Sequence, residues 1–277
     1  MLFRSIIIVD NQSSDDTKSI IHSFQDKRIK YFKTNDYISL GAARNFALGK
    51  SNGEFIAFID SDDLWRRDKI LNVINKLKDS VGIVYSDVLY FNKTKSFRLY
   101  SHRKIYTGNC FKNLLYDYNL CMSSCVVSKR VIDEHNIKFD DKLKVCEDLD
   151  FFLKIAFVSR LDYIDEILTD YRIHNNNLSS KYLDLFYEEY SITVNNLINF
   201  FSLEKKEFIK ALEFNHINKS KFLWKQKKIK KAFFELGNIK ILIFHRLFYS
   251  VLILIPFEFI NFFYKPFSKV KIEFNES

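Results

Sequence analysis

Apolar runs too short to be helices punctuate the chain as far as Tyr85, and each is followed by a stretch with helical spacing. Residues 5–9 form the first run and end at Asp10. A polar turn over 11–16 follows, in which Ser14 or Asp15 can cap a helix over 17–24. Residues 29–32 read as a second strand, and residues 37–40 lead to Gly41 and a helix over 42–49. Gly49 and the Asn52-Gly53 turn close that helix. Five consecutive apolar residues, 55–59, read as a strand buried on both faces, the kind found in parallel sheets. A helix over 68–78 and a strand over 82–85 continue the series. This alternation predicts an α/β domain with a Rossmann-like, mainly parallel, doubly wound sheet and helices on both faces.

From residue 181 the pattern is helical throughout. Residues 182–201, 203–214 and 217–236 carry Leu, Ile and Phe at helical spacing with almost no breakers. Residues 1–180 are therefore expected to form the α/β domain and 181–277 a helical C-terminal region. Within the latter, residues 219–231 interleave seven lysines with Phe222, Trp224 and Ile229, a basic amphipathic helix. Residues 239–264 are strongly apolar but interrupted at His245-Arg246, Pro256 and Glu258. A spanning helix wants about 20 uncharged residues, so the expectation is a segment lying in the membrane interface. The alternative is a helix packed on the α/β domain or on a second copy.

Composition sharpens this picture. The chain has 277 residues, 47% hydrophobic and 28% charged, a globular balance. Six Gly and two Pro leave little material for long loops. The formal charge of +9 is uneven: residues 181–277 hold 16 Lys and Arg against 10 Asp and Glu. A basic, aromatic-rich tail suits an anionic membrane surface or a nucleic acid. The four cysteines form no CxxC pair, which argues against structural zinc. No N-terminal run is long enough for a signal peptide, and a cytoplasmic location is expected.

The candidate chemistry sits at strand ends. The 55–59 run leads into Asp60, Asp62 and Asp63, three carboxylates in four positions. In an open α/β sheet ligands bind at the carboxyl ends of strands. A hard divalent cation held by one or two carboxylates and by substrate phosphates fits there. The bland reading is an acidic turn, with Asp62 or Asp63 capping a helix that starts near Leu64. Asp10 ends another strand and is a ligand contact or a turn cap. Gly41-Ala42-Ala43-Arg44-Asn45 has small residues that permit close approach, and Arg44 offers a planar donor for phosphate or carboxylate.

Taken in order, Val-Asp-Asn-Gln-Ser-Ser-Asp-Asp (9–16), Gly-Ala-Ala-Arg-Asn (41–45) and Gly-Glu-Phe-Ile-Ala-Phe-Ile-Asp-Ser-Asp-Asp-Leu-Trp (53–65) resemble glycosyltransferase family 2. Phe139-Asp140 with Cys146-Glu147-Asp148-Leu149-Asp150-Phe151, and Tyr171-Arg172-Ile173-His174 with Ser179, resemble its acceptor-side and terminal blocks. The resemblance implies a GT-A fold and an inverting transferase that uses a nucleotide-sugar. Asp10 would contact the base, uracil by the family's habit, so a UDP-sugar is expected as co-substrate. Asn11 stands where the family usually has a second Asp. Arg44 would contact diphosphate or base, and Asn45 belongs to the same donor-side block. Asp60 would face ribose and metal, and Asp62 would ligate Mn2+ or Mg2+ bridging to the diphosphate. Asp63 would orient its neighbours or cap the next helix, and His174 is a further candidate for the metal. Asp148 matches the general base, tuned by Glu147, in a single displacement at the anomeric carbon. The acceptor implied is a glycan or lipid-linked sugar in bacterial surface polysaccharide synthesis, at the inner face of the cell membrane.

One departure from the family matters. Members normally begin with an earlier strand and helix, absent before residue 5. Its loss predicts unpaired backbone groups on the flanking strands, and such groups are costly when buried. An inactive remnant of such an enzyme is therefore an alternative reading. A basic nucleic-acid-binding protein is a further one, weakened because the lysines adjoin an apolar tail and no binding motif appears; no nucleic-acid partner is expected.

Overall fold

The computed structural model describes residues 5–77, 80–174 and 177–257. The chain forms two compact units, Met1–Tyr182 and Leu183–Ser277.

The first unit is α/β. In chain order it contains β1 (Ile6–Asp10), α1 (Thr17–Ser23), β2 (Ile29–Lys33), α2 (Leu40–Lys50), β3 (Phe55–Ala57) and β4 (Leu64–Trp65). Then come α3 (Lys69–Ile74), β5 (Val81–Phe91), β6 (Ser96–Arg98), α4 (Phe111–Tyr116), β7 (Cys125–Ser128), α5 (Lys129–Glu134), α6 (Glu147–Val158), β8 (Arg160–Arg172) and α7 (Leu178–Lys181). The main sheet has the order β3-β7-β5-β8-β4, with β6 on the far end of β5. β1 and β2 form a separate parallel pair.

The sheet is mixed rather than mainly parallel, a correction to the sequence reading. β5 and β8 run parallel, whereas β3–β7, β5–β7, β4–β8 and β5–β6 are antiparallel. The strand–helix alternation was legible only as far as Tyr85, but β7 and β8 come from later in the chain and fill the positions beside β5. The 55–59 strand is also shorter than expected. β3 keeps three residues, paired on one side only to β7, and Ile59 is exposed. No pairing joins β1 to β3 among the described residues. Among the described residues β1 and β3 are thus each paired on one side only.

A second correction concerns the segment after the acidic triplet. Leu64 and Trp65 are strand residues paired with Asp170 and Thr169 on β8, and the helix begins at Lys69. Asp62 and Asp63 are thus not its caps. The core under this part of the sheet is Val73, Leu77, Val84, Val126, Ile164 and Leu168.

The second unit is all helix: α8 (Leu183–Phe200), α9 (Ile209–Lys225), α10 (Ile229–Gly237) and α11 (Ile243–Leu252). The helix expected over 217–236 is instead split after Lys225, where Lys227 takes a positive φ of 61°. α9 runs unbroken through the break expected at 214–217. Ile217, Leu223, Trp224, Ala232, Leu236, Ile239 and Ile253 form the core. The apolar stretch expected over 239–264 is described only as far as Phe257, and its remainder lies outside the described residues.

Candidate active site

Three pieces of chain meet around Arg44. α2 begins at Ser39, whose hydroxyl accepts from the Ala42 amide at 3.2 Å. Gly41 then lies so close to the 139–141 segment that a Cβ there would stand 2.6 Å from the Asp140 carbonyl oxygen. The missing side chain is used for a backbone approach. One turn on, Arg44 reaches Glu147 on α6 at 2.8 Å and Asp60 beyond β3 at 2.9 Å. A single guanidinium, its side chain only 12% exposed, therefore ties the acidic strand end to the acidic helix start.

The same two acidic segments are aligned by aromatic packing. Phe58 meets Phe139, Phe151 and Phe152 edge-on, and Phe139 stacks on Phe151 with ring centres 3.9 Å apart. Phe58 lies two residues before Asp60, and Phe151 lies one helical turn after Glu147. Close-packed rings transmit position, so the carboxylates are held in register by the core beneath them.

Glu147, Asp148 and Asp150 occupy the first turn of α6, where the positive end of the helix dipole favours them. Burial and the neighbouring Asp148 push the Glu147 carboxyl well up, against the pull of Arg44. One of its oxygens, Oε2, is buried with no hydrogen-bond partner. Burial raises Asp148 too, while Arg44, the Leu149 amide and the Tyr118 hydroxyl oppose it. Two adjacent carboxyls with raised affinity for protons are suited to taking a proton near neutral pH.

Across the cleft, the loop after β3 is anchored at several points. The Asp60 amide donates to Ser123 Oγ at 3.0 Å, and Trp65 Nε1 donates to the Ser123 carbonyl at 2.7 Å. The Arg172 amide donates to Asp63 at 3.0 Å, and Arg172 Nε to the Asp62 carbonyl at 3.0 Å. Burial lifts the Asp63 carboxyl to about 6. Asp63 thus fastens the loop to the end of β8, which is an orienting role. Beneath it lies Lys69, wholly buried, donating to the Ser124 carbonyl and to Thr169 Oγ1. Burial lowers its pKa to about 8.

Asp62 and His174 come together: Oδ2 and Nε2 are 2.8 Å apart, each side chain a little over a third exposed. Among the described residues no group of three or more His, Cys, Asp or Glu converges on one point. A carboxylate and an imidazole side by side suit a first-row divalent ion that takes its remaining ligands from a substrate and water. Asp60 turns its Oδ1 to Arg44.

Asn45 departs from the expected donor contact. Its amide nitrogen donates to the Phe139 carbonyl and its oxygen accepts from the Phe139 amide, both at 2.9 Å. Both ends of the side chain are consumed in bracketing the backbone. Asn11 brackets Ile38 in the same way, at 2.7 and 3.0 Å. Asp10, on the β1–β2 pair, is buried and accepts from Tyr31 OH at 2.5 Å and the Ser13 amide at 2.7 Å. The Tyr31 hydroxyl chiefly, with Ser13, lowers its pKa. Its carboxylate is ionised and its orientation fixed by the chain itself.

Sequence reasoning missed Ser123, Lys69 and Tyr118, which support this site. Ser123 and Tyr118 lie in a stretch without periodicity, and Lys69 reads as an ordinary helix-start lysine, so each was visible only through its partners.

The fold is similar to that of GT-A-type glycosyltransferases. Residues 3–136 match Glycosyl transferase family 2. It is 28% identical over 180 residues to UDP-Glc:alpha-D-GlcNAc-diphosphoundecaprenol beta-1,3-glucosyltransferase WfgD of Escherichia coli, covering 63% of this chain and 68% of that one. Among solved structures, Staphylococcus aureus TarS in complex with UDP-GlcNAc superposes with a TM-score of 0.60 at 21% identity, covering 77% of this chain and 64% of that one. The mannosyltransferase PcManGT of Pyrobaculum calidifontis, in complex with GDP-Man and Mn2+, superposes with a TM-score of 0.56 at 15% identity, covering 84% and 65%. The chain spans less than two thirds of the length of several other relatives that it matches.

Proposed function

We propose that the chain transfers a sugar, with inversion, from a UDP-sugar to a lipid-linked saccharide acceptor in surface polysaccharide synthesis. The observation that supports this reading is the Arg44 bridge, which joins Asp60 to Glu147, the carboxylates we assign to the donor and acceptor sides. The UDP-sugar and the lipid-linked acceptor draw support from the activity in the name of the E. coli relative, and UDP-GlcNAc from the complex of TarS.

Asp148 accepts the proton of the attacking hydroxyl. The acceptor oxygen forms its bond to the anomeric carbon as the bond from that carbon to the diphosphate oxygen breaks, and the nucleoside diphosphate leaves with the electron pair. Burial raises the proton affinity of Asp148, and Arg44, which also pairs with the neighbouring Glu147, limits that rise. Asp62 and His174 would hold the divalent ion, Mn2+ or Mg2+, with Asp60 and Arg44 nearby. When bound, the ion supplies positive charge that offsets the negative charge developing on the leaving diphosphate.

We also assign the exposed apolar face of α11 to the inner surface of an anionic membrane, where a lipid-linked acceptor would be met. A second reading also has an observation behind it. Among the described residues β1 and β3 are each paired on one side only, and the strand ending at Asp10 would then hold a nucleotide weakly.

Thermal denaturation with UDP-sugars and Mn2+ tests both. On the main reading one UDP-sugar raises the melting temperature, Asp62→Asn abolishes that rise, and Asp148→Asn keeps it but stops transfer. No rise with any nucleotide-sugar favours the inactive reading. Normal turnover by Asp148→Asn removes it as the base.

A further inference from the structure

We propose that Tyr118 is a positioning residue for Asp148, holding its carboxylate in the orientation that takes the acceptor proton; this rests on Asp148 being the base. The Tyr118 hydroxyl donates to Asp148 Oδ2 at 3.1 Å, while Oδ1 accepts from the Leu149 amide at 2.7 Å. Both oxygens of the carboxylate are thereby directed, one by its own helix and one by a residue 30 positions away in sequence.

The segment that carries Tyr118 is braced on both sides. Asp117 accepts from Tyr106 OH at 2.8 Å. Asn119 donates through its amide to the Lys104 carbonyl at 2.6 Å, and its own carbonyl accepts from Tyr100 OH at 2.8 Å. Tyr106 in turn is fixed through its amide and carbonyl to the hydroxyl of Tyr85 on β5, each at 2.9 Å. The hydroxyl facing Asp148 therefore hangs from the central strand of the sheet through a chain of ordered contacts. A loop free to move would leave the carboxylate to rotate. This one does not.

The hydrogen bond favours the ionised carboxylate, because a hydroxyl can donate to that form with full strength. Burial acts the other way. The other charged groups facing Asp148 are Arg44 from α2, which favours ionisation, and Asp60 and its neighbour Glu147, which disfavour it. Removing the hydroxyl should therefore move the protonation of Asp148 to higher pH and loosen its aim, without touching the Asp62–His174 pair.

The test uses the full chain and its transfer reaction, with hydrolysis of the UDP-sugar as a second assay. Tyr118→Phe is expected to lower kcat about ten-fold, the loss of one hydrogen bond to a charged group, with the KM for donor unchanged. The acid limb of its pH profile should shift upward. A fluorinated tyrosine at 118, which keeps the shape but donates more strongly, should shift the limb downward. Carbon-13 NMR of the Asp148 carboxyl, assigned by its loss in Asp148→Asn, should follow the same two directions even in protein without acceptor. An unmoved carboxyl titration in both variants overturns the positioning role. Transfer stopped by Asp148→Asn together with such an unmoved titration would leave the base assignment standing and reject Tyr118 alone.

Discussion

At the scale of single residues, Arg44 decides how the cleft is held together. Its ion pair with Glu147 is largely withdrawn from water: the Glu147 side chain is 6% exposed and that of Arg44 12%. Pairs of this kind do not add much stability over an apolar substitute, but breaking one leaves an uncompensated buried charge. Arg44→Gln should therefore destabilise the α/β unit by roughly 3 kcal/mol, read from urea unfolding followed by Trp65 fluorescence in a Trp224→Phe background. Adding Glu147→Gln should restore part of that loss, since the stranded charge goes with it. A double variant no more stable than Arg44→Gln would mean that the guanidinium matters for packing on Phe139, over whose ring it lies at 5.7 Å, and not for charge. Arg44, Asp60 and Glu147 were each singled out in the sequence, but for contacts with a ligand, a metal or Asp148, and their meeting in one bridge became visible only in three dimensions. Asn11 and Asn45 were no more legible, because an amide that brackets a backbone looks the same, in one dimension, as one that reaches a ligand.

At the scale of elements, what could be read depended on how local the cause was. α8 keeps nearly its expected bounds, since apolar spacing sets a long amphipathic helix by itself. β4 was misassigned because Leu64 and Trp65 become a strand only through pairing with β8, more than 100 residues later. The start of α11 is a similar case, fixed from α9 by Glu213. That buried carboxylate accepts from the amides of Lys240, Ile241 and Leu242 at 2.7 to 2.9 Å, a cap supplied from another helix. Burial alone would raise the Glu213 pKa, but the three amides outweigh it and the net shift is downward. A folded-state pKa below the unfolded one contributes stability that is present above the unfolded value of 4.5 and lost as pH falls through the folded value. The helical unit should therefore weaken as pH falls below about 4.5, seen by Trp224 fluorescence in a Trp65→Phe background. Glu213→Gln should be less stable at pH 7 by about 1–2 kcal/mol and should show a flatter decline in acid. An identical acid decline in that variant would assign the effect to other groups.

At the scale of the whole molecule, the α/β class and the helical tail were legible, while the directions of the strands were not, since pairing partners lie far apart in the chain. The apolar tail also looked different in three dimensions. Tyr249, Leu252 and Ile253 turn inward on the helical core, while Phe244, Leu247, Phe248, Val251 and Leu254 lie on the outside, Phe244 at 89% exposure. Spacings of three and four place these outward residues on one stripe. Lysines 225, 227, 228, 230 and 231 of the same unit are all exposed, as is Phe234 at 74%. No helix among the described residues is long and apolar enough to cross a bilayer. An exposed apolar stripe in a lysine-rich unit is the combination that inserts shallowly into an anionic surface, the apolar residues entering and the lysines meeting headgroups. Pairing with a second copy would instead bring like charges together. The full chain should sediment with vesicles containing phosphatidylglycerol and much less with phosphatidylcholine alone, and the binding should fall as salt is raised. Each fully buried side chain of this size is worth about 1.5–3 kcal/mol, so Phe244→Glu with Leu247→Glu should weaken vesicle binding on the order of a hundred-fold or more. The same variant should leave nucleotide-induced thermal shifts as they were. If the unsubstituted chain ignores vesicles but runs as a dimer, and the double variant runs as a monomer, the stripe belongs to a protein interface and the membrane assignment falls.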